Sequence, residues 1–117
     1  MNTKINLTYK GTDYTLEYDR MSVKLLENQG FSLEEFSKKP MSNIELAFTG
    51  AFIKNHRKIS QTTIDEIYSK LKDKTSLIQV LSTMISECYE SLMEEPDGDE
   101  GNINWEAVGL APTKNEK

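Results

Sequence analysis

The spacing of apolar residues changes once along this chain, at Asp19. Before it, Ile5-Asn6-Leu7-Thr8-Tyr9 and Tyr14-Thr15-Leu16-Glu17-Tyr18 alternate with period two around Lys10-Gly11-Thr12-Asp13, the pattern of a β-hairpin. After it, apolar residues recur at three and four, the helical spacing. A lone hairpin is marginal in water. Its apolar face, Ile5, Leu7 and Tyr9 against Tyr14, Leu16 and Tyr18, therefore has to pack on the helices. One hairpin followed only by helices makes an α+β domain, with about four helices expected.

Asp19 is a favourable N-cap, Met21, Leu25 and Leu26 follow at inward spacing, and Gly30 is the expected stop. Ser32-Leu33-Glu34-Glu35 reads as a capping box on a very short helix that Pro40 closes. Ser42-Asn43-Ile44-Glu45 reads as a second box. It opens a central helix whose stripe is Ile44, Ala47, Phe48, Ala51 and Phe52. Lys54, His56, Arg57 and Lys58 crowd its end, where positive charge complements exposed carbonyls, and His56 reads as a cap there. Thr62-Thr63-Ile64-Asp65 starts a further helix with Ile64, Ile67, Tyr68 and Leu71 inward. The longest periodic segment begins near Thr75 or Ser76 and runs through Ile78, Leu81, Met84, Ile85, Cys88, Tyr89 and Leu92 to about Met93.

Pro96, Gly98 and Gly101 then interleave with acids and end all periodicity. The formal charge of −5 is local: residues 1–93 carry twelve acids and twelve bases, 102–117 two of each, and the surplus is Glu94, Glu95, Asp97, Asp99 and Glu100. The expected organisation is a domain over 1–93, an acidic linker over 94–101, and a flexible tail over 102–117 holding Ile103, Trp105 and Val108. A neutral domain has no excess field for gathering phosphates, which argues against nucleic-acid binding by counterion release. No apolar run approaches the ~18–20 residues that span a bilayer, and Met1 to Thr8 lacks the basic-then-apolar order of a signal peptide. The chain reads as cytosolic, with no membrane partner.

Catalytic chemistry finds little to use. His56 is the sole imidazole and Cys88 the sole thiol, which leaves no disulfide and no Cys/His metal set. Cys88 sits on the apolar stripe and reads as a small hydrophobe. No glycine-rich loop opens a helix, and Asp97-Gly98-Asp99-Glu100-Gly101 lacks the ligand spacing of a calcium loop. Neither cofactor nor metal is expected, and the chain does not read as an enzyme. Protein contact remains. The candidate partner-binding residues are Phe48 and Phe52, as core or as the wall of an open groove, and Trp105, folded back or serving as an anchor.

The ordered set Lys10-Gly11 at a hairpin turn, Tyr14-Thr15-Leu16-Glu17-Tyr18, Glu27-Asn28-Gln29-Gly30-Phe31, Lys39-Pro40, and Phe48-Thr49-Gly50-Ala51-Phe52 with His56 behind resembles the siphophage tail assembly chaperones of phages and prophages of Gram-positive bacteria. The similarity covers most of residues 4–93 and, more loosely, Asn104-Trp105. It implies a non-enzymatic role in the host cytoplasm: binding the tape-measure protein, keeping it soluble while the tail tube polymerises, and leaving before the virion is complete. It also implies a longer frameshifted product that contacts the tail-tube protein, and it fits a homo-oligomer coating a long client. The family carries no motif of binding residues to transfer. A tape measure is a long amphipathic helix, so its binder needs a helix groove. Met21, Met41, Met84 and Met93 are either adaptable walls of such a groove or ordinary core filler. Two other readings stay open: a tail or connector component retained in the virion, and a small DNA-binding regulator using helices at 43–56 and 62–72 with Lys54, Arg57 and Lys58.

Overall fold

The computed structural model describes residues 3–94 and 106–109. Trp105, the tail beyond Gly109 and the acidic stretch after Glu94 lie outside the described residues. Among the described residues, an antiparallel hairpin of β1 (Ile5–Tyr9) and β2 (Thr12–Leu16) is followed by five helices: α1 (Arg20–Asn28), α2 (Leu33–Lys38), α3 (Pro40–Gly50), α4 (Gln61–Lys70) and α5 (Lys74–Met93). The fold is α+β, as the single change of period implies.

The hairpin turn is tighter than the four-residue loop expected. Lys10 and Gly11 both take positive φ, at 51° and 81°, the geometry of a two-residue turn whose twist matches the strands it joins. Register follows: Tyr9 pairs with Thr12, Leu7 with Tyr14 and Ile5 with Leu16. Those residues share the face turned toward the helices, where Leu16 is fully buried. The opposite face is polar, with Thr15 Oγ1 donating to Asn6 Oδ1 at 3.0 Å and Thr8 Oγ1 to Asp13 Oδ1. Tyr18 lies beyond the end of β2, and its buried hydroxyl donates to the Ala47 carbonyl of α3 at 2.6 Å.

Asp19 caps α1 reciprocally: its carboxylate accepts from Ser22 N–H, and its own N–H donates to Ser22 Oγ. At the other end, with Gly30 at φ +92°, the Phe31 N–H reaches Leu26 O and the Gly30 N–H reaches Glu27 O, both at 3.0 Å. This is a Schellman closure, and it buries Phe31 and Leu26 as its apolar partners. The inward face of α1 differs from expectation: Ser22, Val23 and Leu26 are buried, whereas Met21 and Leu25 point outward.

Helix α3 packs against α1, α2, α4 and α5. It begins at Pro40, not at the Ser42 box, because proline at the first helical position surrenders an N–H that would have no partner anyway. Its stripe of Ile44, Ala47 and Phe48, continued by Ala51 and Phe52, is buried throughout. The regular helix stops at Gly50, short of the expected Arg57 region. Residues 51–55 continue as turns with shorter-range bonds, Phe52 N–H to Thr49 O and Ile53 N–H to Gly50 O, each at 3.2 Å.

This turn segment holds the outer edge of β2. Ala51 O accepts from Glu17 N–H at 3.0 Å, Asn55 Nδ2 donates to Thr15 O at 3.1 Å, and Thr15 N–H donates to His56 Nε2 at 3.0 Å. Two side chains thus occupy both backbone groups of Thr15 where a third strand would pair. His56 consequently does not cap α3. Its ring serves β2 and packs edge-on against Tyr14 and Phe52. Two further ties hold the hairpin: Tyr9 OH donates to Glu66 of α4 at 2.8 Å, and Thr3 donates from N–H and hydroxyl to the Glu87 carboxylate of α5.

Two substitutions test this packing. A Cβ on Gly50 would stand 2.7 Å from Leu26 Cγ and Cδ2, inside a well-packed α1–α3 contact. Gly50→Ala should therefore destabilise by ~1–3 kcal/mol despite the gain in helix propensity, lowering the melting temperature by several degrees; an equal or higher Tm would refute the notch. His56→Ala should cost ~1–3 kcal/mol in urea unfolding by leaving the Thr15 N–H without an acceptor. His56→Gln should recover part of that loss. Unchanged exchange of the Thr15 amide in His56→Ala would show the bond to be dispensable.

Candidate functional site

The sequence-designated residues separate in space. Phe48 and Phe52 are each 1% exposed. Their rings stack edge-on with one another at 5.2 Å between centroids, Tyr14 closes over Phe52, and Tyr68 of α4 over Phe48. Of the two readings of this stripe, the rings have the core position, with α4 and the hairpin packed over them. Trp105 lies outside the described residues.

Among the described residues the exposed large apolar side chains lie elsewhere: Met41 on α3, Val108, and four on α1 and α5. Met21 is 47% exposed, Leu25 37%, Leu92 45% and Met93 82%. Met21 and Leu25 are one turn apart on the outer face of α1. The last turns of α1 and α5 meet where Tyr89 OH donates to Glu27 Oε2 at 2.9 Å. Met84, by contrast, is core. Sequence periodicity missed this surface because α1 has apolar residues at 21, 23, 25 and 26, which satisfy two faces equally well.

A polar cluster lies between the hairpin and α5. Glu17 accepts from Asn55 Nδ2 at 2.9 Å and from Lys54 Nζ at 3.2 Å, and these bonds, Asn55 first, hold its carboxyl below the usual range. A 90 Å³ cavity beside it is lined by Thr3, Tyr18, Met84, Glu87 and Cys88 as well as Glu17 and Lys54. Burial pushes the Cys88 thiol up, with the Asp19 charge adding to it, which opposes thiolate formation. The Glu87 carboxyl is held low by the Thr3 N–H. Glu17, Lys54 and Glu87 are thus each engaged in joining one part of the chain to another.

A larger depression, about 570 Å³, opens on the far side of the β2 edge between Tyr14 and the start of α4. His56, Arg57 and Lys58 line it together with Ile59 and Ser60. Ser60 Oγ accepts from Thr63 N–H at 3.1 Å and so caps α4. Among the described residues no group of three or more His, Cys, Asp or Glu side chains is placed to hold a metal ion. No helix among them is long and apolar enough to cross a membrane.

One buried phenol, Tyr18, and one half-buried, Tyr89, make stability depend on alkaline pH. Burial raises the Tyr18 hydroxyl far above its ordinary value, and burial with the Glu27 contact raises Tyr89 to about 12. The folded state favours the protonated phenol, so this contribution is complete below the unfolded value of ~10 and is lost as pH rises above it. The melting temperature should fall above that pH. Tyr18→Phe should lose about 1 kcal/mol near neutrality, from the Ala47 bond, and flatten the alkaline decline. An identical alkaline slope in Tyr18→Phe would exclude Tyr18 as its source.

With this geometry in view, comparison with known proteins gives one match. A family model described as a domain of unknown function, DUF5055, matches residues 1–108, a span that takes in the hairpin, all five helices, the acidic stretch and Trp105. No curated protein and no solved structure matches the chain. Covering nearly the whole sequence, the match makes this chain a member of the DUF5055 family.

Proposed function

We propose that this protein is a phage tail assembly chaperone that binds the tape-measure protein and keeps it soluble during tail-tube assembly, acting in the host cytoplasm without catalysing a reaction. The reading starts from the ordered resemblance of residues 4–93 to that family. The observation that carries it further is the set of exposed apolar side chains on α1 and α5, Met21, Leu25, Leu92 and Met93. A long amphipathic helix presents a stripe of apolar residues, and a pair of helices offering Leu beside unbranched, adaptable Met side chains is a surface on which such a stripe can settle in more than one register. Phe48 and Phe52 act in this reading as core residues that hold the domain together. Contact with the tail-tube protein through a longer product, and several copies along one client, belong to the same proposal.

Co-expression with the tape-measure protein tests it. The wild-type chain should raise the soluble fraction of the client. Met21→Glu/Leu25→Glu should abolish that effect while melting within a few degrees of wild type, since both positions reach solvent. Met41→Glu, at an exposed position on α3, should behave as wild type. Full client solubility with the double variant would move the contact elsewhere, and no solubilisation by the wild-type chain would remove the function. Mass spectrometry of purified particles separates the neighbouring reading: a stoichiometric amount in the virion would make the protein a structural tail or connector component.

A further inference from the structure

We propose that the depression between Tyr14 and the start of α4 is a docking site for an acidic segment of a partner protein that also carries an apolar residue. The basis is the chemistry of its walls. Three bases, His56, Arg57 and Lys58, line it and no acid does. Neither Arg57 nor Lys58 forms an ion pair with any described residue, whereas nearby Lys54 is held by Glu17 at 3.2 Å. His56 adds a directed donor. Because its Nε2 accepts the Thr15 N–H, the neutral ring carries its proton on Nδ1, and that N–H is left for a ligand. Half-buried Tyr14 and Ile59 give the same depression an apolar side.

The end of α4 is not the source of attraction, since Ser60 already caps it. The site's strength therefore rests on two solvated cations and one ring N–H. Each exposed pair contributes little alone. A single small anion gains too little to be held, and several carboxylates on one segment are needed for the contributions to combine. A nucleic acid would supply many anions, but it demands a broad cationic footprint. Residues 1–93 balance twelve bases with twelve acids, and Lys54 is already paired. An acidic peptide with an adjacent apolar side chain matches both the number of cations and the Tyr14–Ile59 side. This site is separate from the α1–α5 surface, and either can fail without the other.

The test uses the full chain and a fluorescein-labelled peptide of alternating glutamate pairs and leucines, read by anisotropy and by amide shifts. Its glutamine counterpart, a short random DNA duplex and inorganic phosphate serve as competing probes. The glutamate peptide should bind and shift the amides of Tyr14, His56, Ile59 and Thr63. Arg57→Gln/Lys58→Gln should weaken it about tenfold, and Lys24→Gln/Lys72→Gln, an equal charge change elsewhere, by less than about twofold. Absence of binding, equal loss in the two double variants, shifts confined to other residues, or duplex or phosphate binding as tight as the peptide would each overturn the proposal.

Discussion

Both backbone groups of Thr15 on the outer edge of β2 are taken by side chains that arrive about forty residues later in the sequence. Thr15 N–H goes to His56 and Thr15 O receives Asn55. A two-stranded sheet has no interior strand, so each strand is an edge and half of its polar backbone faces outward. One edge is closed here without a third strand. The Glu17 N–H to Ala51 O bond extends the same seam by one more backbone contact. The polar contacts that fix the hairpin to the helices run through this seam and the two flanking ties to Glu66 and Glu87, beside the apolar packing of Leu16 and Tyr14 on the core.

The seam depends in turn on where α3 ends. The tighter turns after Gly50 deliver Asn55 and His56 to one strand. Gly50 has a second task, leaving room for Leu26 so that α1 lies close against α3. The same approach sets which face of α1 is buried: Leu26 and Val23 enter the core, the small Ser22 folds its hydroxyl back onto Asp19, and Met21 and Leu25 are left outside. The exposed apolar surface is thus the other side of a packing choice made at a glycine.

Local signals were legible in the sequence, and long-range ones were not. The hairpin, the Asp19 and Ser32 caps, the Gly30 stop and the Ile44 to Phe52 stripe each depend on residues within a turn or two of one another, so propensity and period identify them. The start of α3 was misread because Ser42 and Glu45 have capping spacing while Pro40 suits the first helical position, and a local pattern does not rank the two. His56 shows the limit more sharply. Its neighbours Lys54, Arg57 and Lys58 make dipole complementation the natural local reading, and nothing near position 56 points to Thr15. The fold of the described residues was readable as α+β, yet the face of α1 turned to solvent was set by a notch on another helix.

The β2 seam also imposes an order in time. Synthesised at roughly 5–20 residues per second, a chain needs about 2–8 s to add the 41 residues between Thr15 and His56. Throughout that interval the strands that emerge first have no cover for the Thr15 edge, and the Glu87 tie for Thr3 comes later still. A hairpin waiting with open edges is a template for pairing with another chain. Lys4 beside β1 and Lys10 at the turn place charge at both ends of the hairpin, where a stray strand would have to dock. In the finished fold Lys10 pairs with Glu66 of α4 at 3.9 Å, so a charge that guards the turn during synthesis ends as one of its anchors.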